Sequence, residues 1–314
     1  MAESINGIHH ITAVSGQPQE NINFYTGILG LRFTKRTVNF DDPLTYHLYY
    51  GNYHATPGSS ITFFPWANAV EGSPNPGEVT VVQYAIPGDS LEYWKNHLQE
   101  KKVEVEGEDE VCDRPTLFLK DPNGMQIELV EDPESSELDT RGYGGIPDAK
   151  AIRGFFGATL SLADAGRTAE LLREFGWEHD DMEGNRIRYI STPDNKLGRV
   201  LDLIEQPDLS GRFGKGSVHH IAFRVPDDDA QAEWREKLLK MGFQVSPVRD
   251  RQYFRSIYFR EHGGVLFELA TDGPGFTKDE SLEHLGEKLT LPPWFEEHRK
   301  QIEKQLPELK ISLD

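Results

Sequence analysis

The chain has 314 residues, of which 37% are hydrophobic, so it contains enough apolar material for one large core or two ordinary ones. Acidic residues outnumber basic ones by 52 to 33, and the resulting formal net charge of −19 repels polyanions and excludes nucleic acid as a partner. No stretch approaches the roughly 18 apolar residues of a membrane helix, the N-terminus lacks a basic and apolar leader, and the single cysteine, Cys112, cannot form an internal disulfide, so we expect a cytoplasmic protein.

A unit of one strand, one helix and three further strands is predicted four times along the chain. In the first unit a strand is predicted over residues 9–14 and a helix over 18–27. Glycines then separate three strands, which are predicted near residues 31–38, 45–51 and 59–64. The first unit therefore contains all the elements that define the repeat.

The three later units follow the same order, as indicated by their apolar periodicity and turn residues. Their opening strands are predicted over residues 79–86, 155–162 and 217–225. Their helices are predicted over residues 90–101, with Asp89 as the N-cap, 164–176 and 229–242. Their closing strands are predicted over residues 125–130, 199–204 and 265–270.

A short motif in the closing strands supports the repeat at the level of single residues. A glycine lies four residues before an acid, and leucine follows the acid, in three units in step with the strand pattern. The three segments are Gly124-Met-Gln-Ile-Glu128-Leu129, Gly198-Arg-Val-Leu-Asp202-Leu203 and Gly264-Val-Leu-Phe-Glu268-Leu269.

A stretch rich in Asp, Glu, Ser, Gly and Pro separates the second unit from the third, and the repeat stops after the fourth. These boundaries predict two pairs of units joined by a linker and followed by an arm. The predicted organisation is residues 1–135 with units 7–66 and 78–132, a linker over 136–152, residues 153–272 with units 153–206 and 215–271, and a C-terminal arm over 273–314.

Two histidines open both the first and the last unit. Ile-His-His-Ile-Thr at residues 8–12 returns as Val-His-His-Ile-Ala at residues 218–222. Since side chains alternate along a strand, His220 lies opposite the apolar residues that face the helix, and Glu268 lies on the same concave face. His220 and Glu268 can therefore meet. In the first unit, alternation places His10 on the same strand face as Thr12 and Val14, although both faces of that strand are largely apolar.

Two imidazoles and one carboxylate on a concave sheet face form a facial ligand set that leaves coordination positions open. This set suits Fe(II) and oxygen chemistry, and Mn(II) or Co(II) nearly as well, whereas zinc would indicate hydrolysis or isomerisation. Only a pairing of units one and four gathers both histidine pairs with Glu268, because the opening strands of units two and three carry no histidine. Glu128 and Asp202 then belong to a metal-free scaffold, with a fourth-ligand role or a vestigial site as the alternative.

These features resemble the vicinal oxygen chelate superfamily, which includes glyoxalases, bleomycin-resistance proteins and extradiol dioxygenases. More narrowly, Gly7-Ile-His-His-Ile-Thr12, Val218-His-His-Ile-Ala-Phe223 and Phe267-Glu268-Leu269 resemble the dioxygenases that cleave hydroquinone and chlorohydroquinone rings. The resemblance implies an α+β fold of four βαβββ modules, paired into two cup-shaped sheets with modules 1 and 4 around the metal.

The resemblance also implies which residues form the site. His10, His220 and Glu268 would hold Fe(II), with Mn(II) as the alternative ion. Repeat logic alone makes His47 a pocket candidate, with an exposed or structural histidine as the alternative. His9 and His219 would handle protons or orient the ligands, and Arg251 would steady negative charge. The full set of implied catalytic residues is His9, Thr12, His219, Arg251 and Tyr258.

The implied activity is extradiol-type ring cleavage, in which Fe(II) and O2 open a hydroquinone- or catechol-type ring, with hydroquinone detoxification as the role. The expected partners are a small aromatic substrate and O2, with no nucleic acid and no membrane. Two alternatives stay open: a metal-dependent glyoxalase-like isomerase or transferase, which extra carboxylates at the metal would favour, and a protein that sequesters an aromatic ligand. The aromatic substrate, the identity of the metal and the oligomeric state stay open at this point, and a homo-oligomer is one of the alternatives.

Overall fold

Two curled β-sheets make up most of the molecule. The computed structural model describes residues 3–191 and 196–311, and within them sixteen strands form two sheets of eight strands each. Residues 1, 2, 192–195 and 312–314, which belong to the predicted first domain, third unit and arm, lie outside the described residues. The strands are β1 (Ile8–Ser15), β2 (Arg32–Val38), β3 (Tyr46–Gly51), β4 (Ser60–Pro65), β5 (Glu78–Ile86), β6 (Val105–Val111), β7 (Arg114–Lys120), β8 (Gln126–Glu131), β9 (Gly154–Leu162), β10 (Trp177–Glu183), β11 (Arg186–Ser191), β12 (Val200–Glu205), β13 (Val218–Val225), β14 (Arg249–Asp250), β15 (Arg255–Arg260) and β16 (Leu266–Thr271).

The first and fourth units share one sheet. Its strand order is β14-β15-β16-β13-β1-β4-β3-β2, and its halves join where β1 pairs antiparallel with β13. The second and third units form the other sheet, in the order β10-β11-β12-β9-β5-β8-β7-β6, with β5 and β9 antiparallel at its centre. The predicted fold of four modules in two sheets, with modules 1 and 4 together, is therefore confirmed.

Each unit packs one helix against its sheet, and the predicted helices agree with the observed ones to within about two residues at each end. None of the helices within residues 3–191 and 196–311 combines the length and the apolar character needed to cross a bilayer. The helices are α1 (Pro18–Gly27), α2 (Leu91–Glu100), α3 (Gly166–Glu174), α4 (Asp228–Lys240) and, beyond the fourth unit, α5 (Arg299–Gln305).

The predicted N-cap of α2 is wrong. Asp89 has a φ of 57°, and the N-cap residue is Ser90. The carboxylate that serves this helix end comes from Glu131, whose Oε1 accepts the backbone N–H groups of Ser90 at 2.6 Å and Leu91 at 2.8 Å. A distant acid replaces the local one because β8 ends beside the start of the helix.

An apolar core links both sheets and their helices. Ile11 of β1, Ile221 of β13, Val82 of β5 and Leu160 of β9 have no exposed surface, and they belong to one cluster that also contains Trp94 of α2. Since strand side chains alternate, burying one face of each strand under the helices leaves the opposite face free. In the first sheet, the opposite face carries the histidine and glutamate side chains of the candidate site.

After β16 the chain forms an arm along the edge strand β2. The backbone N–H of Thr290 donates to the carbonyl of Arg36 at 2.9 Å. The ammonium group of Lys35 has no exposed surface and forms ion pairs with Asp279 at 2.7 Å and with Glu280. The arm therefore covers backbone groups that an open sheet edge would expose.

The predicted turn at residues 121–124 contains a buried carboxylate. Oδ1 of Asp121 accepts the backbone N–H groups of Asn123 at 2.8 Å and Met125 at 2.9 Å, and the hydroxyl of Tyr25 donates to Oδ2 at 3.2 Å. Burial raises the pKa of Asp121 from its ordinary 3.8 to about 6. At neutral pH the Asp121 carboxylate is ionised, and the burial of its charge lowers the stability of the folded state.

We expect Asp121→Asn to stabilise the protein at pH 7.5. The folded state binds more protons than the unfolded state between the two pKa values, so the wild-type protein loses stability as the pH rises through that window. Asparagine keeps an acceptor oxygen without the charge, and the gain should reach about 3 kcal/mol at pH 7.5 and fall to about 0.5 kcal/mol at pH 4. Urea unfolding of both proteins at the two pH values measures this, and an equal difference at both would contradict it.

Candidate metal centre

Three neighbouring strands bring two imidazoles and one carboxylate to one point. Nε2 of His220 on β13 lies 3.0 Å from Oε2 of Glu268 on β16, and Nε2 of His10 on β1 lies 3.4 Å from the same oxygen. The three ligand atoms lie within 4.8 Å of one another, and all three side chains are buried. The pairing of units one and four thus brings together the residues that were predicted as metal ligands.

The carboxylate of Glu268 has one oxygen engaged and one open. The hydroxyl of Ser256 donates to Oε1, whereas the buried Oε2 faces Nε2 of His220 and Nε2 of His10. Burial alone would raise the pKa of Glu268, but His10 and His220 outweigh it and hold this pKa well below its ordinary value. An ionised oxygen and two imidazole nitrogens around one point fit a divalent cation.

Each of these two histidines is hydrogen-bonded to the histidine before it. Nδ1 of His10 lies 2.9 Å from Nδ1 of His9, and Nδ1 of His220 lies 2.8 Å from Nδ1 of His219. Burial and the neighbouring imidazole lower the pKa of His9 well below its ordinary value and that of His219 to about 4, so both rings are neutral. A histidine that binds a metal through Nε2 carries its proton on Nδ1 and donates it to the preceding ring. With the preceding ring as the acceptor, each hydrogen bond holds the tautomer that has a free Nε2.

His9 and His219 differ in their access to the space around the candidate ligands. His219 lies near the start of β13, lines the cavity and packs edge-on against Phe64, with 5.8 Å between ring centres. His9 packs behind His10 against Phe254, with 5.1 Å between ring centres. An orienting role is therefore open to both, and contact with a cavity ligand is open to His219.

We expect His219→Leu to weaken metal binding and His219→Asn to retain most of it. Leucine removes the acceptor for the Nδ1 proton of His220, whereas asparagine places an oxygen close to the position of the original nitrogen. Loss of such an outer partner typically lowers metal affinity about 10–100-fold. Competition with a chelator measures the affinity, and equal values for the two variants would argue against the orienting role.

A cavity of about 310 Å³ opens on His10 and His220. Its volume is at the lower end of the range for small-ligand pockets, roughly 300–1,000 Å³, so it suits a single aromatic ring. The wall combines apolar and aromatic side chains with a few polar groups. The apolar lining residues are Phe40, Phe64, Trp66, Phe254 and Leu266, and the polar ones discussed below are Asp41, His47, Tyr49, Arg251 and Tyr258.

Tyr258 and Arg251 lie side by side in this cavity. Nε of Arg251 donates to the Tyr258 hydroxyl oxygen at 3.0 Å, and the guanidinium carbon lies 5.3 Å from the ring centre. The ring of Tyr258 packs edge-on against His220, with 5.7 Å between centres. Burial and the charge of Glu268 raise the pKa of Tyr258, so the hydroxyl keeps its proton. The hydroxyl can therefore donate this proton to a ligand in the cavity.

A chain of hydrogen bonds leads from the cavity to β1. The hydroxyl of Tyr49 lies 2.9 Å from Nδ1 of His47, Nε2 of His47 lies 2.8 Å from Oγ1 of Thr62, and Thr62 lies 2.8 Å from Oγ1 of Thr12. Burial lowers the pKa of His47 well below its ordinary value, so the ring is neutral. Thr12 is thus connected to the cavity through this chain, whereas His47 and Tyr49 line it.

The fold and the triad agree with one known superfamily. The family model of the Glyoxalase/Bleomycin resistance protein/Dioxygenase superfamily matches residues 7–129 and 159–269. The chain belongs to this superfamily. The matched ranges include both histidine pairs and Glu268.

Several proteins of this superfamily resemble the chain over almost their whole length. MhqO of Bacillus subtilis, provisionally named a ring-cleaving dioxygenase, is 47% identical over 312 residues, which is 98% of this chain and 97% of the relative. The chlorohydroquinone/hydroquinone 1,2-dioxygenase of Sphingobium indicum is 33% identical over 304 residues, which is 94% of each chain. The crystal structure of a provisionally named dioxygenase from Bacillus subtilis has a TM-score of 0.95 at 46% identity and covers 99% of both chains. The two-sheet architecture is therefore shared with a solved relative that carries a dioxygenase name.

In the second sheet, other side chains occupy the space between the two acids that correspond to Glu268. Glu128 and Asp202 hold the register position on β8 and β12 that Glu268 holds on β16. Arg186 lies between them, with Nη2 3.0 Å from Glu128 and Nη1 2.7 Å from Asp202. The side-chain amide of Gln83 donates to both acids, at 2.7 and 2.9 Å. Neither acid reaches the centre in the first sheet, and these contacts support the scaffold interpretation.

Tyr49 and Asp41 line the cavity but had no assigned role in the sequence analysis. Tyr49 shares a strand face with His47, so alternation was an available signal for it. Asp41 lies in the loop after β2, where no strand periodicity applies. Its position depends on how the sheet curls.

Proposed function

We propose that the chain is an Fe(II)-dependent dioxygenase that cleaves a hydroquinone- or catechol-type ring. The observation that carries the proposal is the buried set of His10, His220 and Glu268 next to an aromatic cavity. Two imidazoles and one carboxylate are the facial set typical of non-haem Fe(II) oxygenases. The dioxygenase names of the relatives support the same class of reaction.

The charge of the site suits a phenol that has lost its proton. His10 and His220 bind as neutral ligands and Glu268 contributes one negative charge, so a divalent ion would retain a net positive charge. Bound there, Fe(II) would supply the redox chemistry by which O2 reacts with an aromatic ring. Arg251 donates to the hydroxyl oxygen of Tyr258, and through this hydroxyl it would stabilise negative charge that develops on the substrate.

Two polar groups in the cavity can move protons. A proton that leaves a ring hydroxyl can pass through the hydroxyl of Tyr49 to the neutral imidazole of His47, which is 2.9 Å away. Tyr258 keeps its proton and would donate it to an oxygen atom of a substrate bound in the cavity. His47 would thus act as the base and Tyr258 as the acid.

Anaerobic reconstitution with Fe(II), followed by O2 and either hydroquinone or catechol, tests this function. We expect one O2 to be consumed per ring, with a product spectrum of a ring-opened semialdehyde, and the better substrate identifies the ring class. Reconstitution with Mn(II) in parallel tests the alternative ion. No oxygen consumption with either ring, in protein that holds one iron per chain, would defeat the proposal.

The isomerase or transferase alternative has less support. It would be favoured by additional carboxylates at the metal, but Glu128 and Asp202 are paired with Arg186 in the other sheet. The alternative of a sequestering protein would be favoured if the ring compounds bound without turnover. Hydroquinone detoxification and a cytoplasmic location stay predictions.

A further inference from the structure

The two edges of the first sheet meet at the mouth of the cavity. The edge strands are β2, which leads into Asp41, and β14, which is followed by Arg251. Nη1 and Nη2 of Arg251 both lie 3.3 Å from Oδ2 of Asp41, and Nη1 of Arg249 lies 3.8 Å from Oδ1. One carboxylate from unit one therefore joins two guanidinium groups of unit four across the curled sheet.

Local contacts hold this carboxylate in place. The backbone N–H of Asp41 donates to Oδ1 of Asn39 at 2.9 Å. The neighbouring Phe40 packs edge-on against Trp294 of the C-terminal arm, with 5.7 Å between ring centres. Asp41 therefore belongs to an ordered turn, although 64% of its side chain is exposed.

Both edges of the Arg251 guanidinium are occupied within the protein. The Nε edge donates to Tyr258 at 3.0 Å, and the edge formed by Nη1 and Nη2 faces Asp41. An arginine edge with two N–H groups is the group best suited to bind a carboxylate. Tyr258 in turn packs against His220, so one side chain separates Arg251 from this candidate metal ligand. A substrate carboxylate that approached Arg251 would find the position taken.

We propose that Asp41 determines specificity: it occupies the carboxylate-binding edge of Arg251, so that the cavity accepts rings with neutral substituents and rejects rings that carry a carboxylate. The nature of the ring rests on the proposed function. Asp41 neutralises Arg251 and repels a second anion, which disfavours the wrong substrate. The rest of the wall, with Phe64 and Trp66, favours uncharged substituents.

Hydroquinone and 2,5-dihydroxybenzoate are matched probes, because they differ by one carboxylate. Their equilibrium binding to Fe(II)-loaded protein without oxygen, and their kcat/KM with oxygen, are compared in the wild-type protein and in Asp41→Asn. Asp42→Asn is the control, since it removes the same charge one residue away, where the carboxylate accepts a hydrogen bond from Thr45. Asp41→Glu keeps the charge and should keep the wild-type preference.

We expect Asp41→Asn to raise the ratio of kcat/KM, and of affinity, for 2,5-dihydroxybenzoate over hydroquinone about tenfold, whereas Asp42→Asn keeps this ratio within about twofold of the wild-type protein. The proposal is overturned if Asp41→Asn changes both rings equally, or changes the carboxylated ring no more than Asp42→Asn does. If no variant turns over hydroquinone or catechol, the proposed function fails, and the ratio of the two binding constants still decides the role of Asp41.

Discussion

Glu268→Gln should abolish metal retention and turnover while the protein stays folded. The amide keeps the size of the side chain but removes the single negative charge of the ligand set, whose atoms lie within 4.8 Å of one another. Because loss of even an outer partner lowers metal affinity about 10–100-fold, loss of a direct ligand should exceed 100-fold. Metal content after gel filtration, together with oxygen uptake, measures the effect, and near-UV circular dichroism checks the fold.

Glu128→Gln is the matched control for this change. Glu128 holds the same register position in the second sheet, so the variant makes the same chemical change far from the proposed centre. It should retain metal and activity at the wild-type level. If Glu128→Gln lost the metal and Glu268→Gln kept it, the metal would belong to units two and three.

Arg186→Met should destabilise the protein without affecting the metal. The guanidinium lies between Glu128 and Asp202, and only 16% of the Arg186 side chain is exposed. Methionine would leave two buried carboxylates without their shared cation, and breaking such a pair typically costs about 3–5 kcal/mol. The free energy of unfolding in urea measures the loss, and metal content should match the wild-type protein because the centre is in the other sheet.

A second change tests whether the loss comes from unpaired charge. In the Arg186→Met background, Glu128→Gln removes one of the two carboxylates, and Arg188 still binds Asp202 at 2.8 and 2.9 Å. The double variant should therefore be more stable than Arg186→Met alone. Equal stability of the two would mean that Arg186 acts through packing and not through its charge.

Strand alternation was sufficient to predict how His220 and Glu268 meet. The two residues lie on parallel neighbours, β13 and β16, with Ala222 opposite Glu268 in the register, so parity alone places both side chains on one face. In unit one the same rule places His10 and Thr12 on one strand face. Thr12 lies opposite Thr62 on the neighbouring strand β4. The fourfold repeat supplied the pairing of units, because a unit that opens with histidine occurs only at the two ends of the chain.

Contacts between distant segments were beyond the reach of these local rules. Glu131 and not Asp89 serves the N-terminus of α2, since β8 ends beside the helix only in the folded protein. Arg186 lies on β11, and its charged partners come from β8 and β12 in two different units. Neither arrangement has a sequence spacing that periodicity can detect.

The sequence by itself determined the repeat, the helix positions, the pairing of units and the faces of His10, His220 and Glu268, because strand and helix periods act over short distances and return in every unit. Only the tertiary structure decided what surrounds this set. The curl of the first sheet brings Asp41 to Arg251, and the packing of β3 against β4 links His47 to Thr62. These contacts join opposite edges or different strands, and their geometry depends on the whole curled sheet.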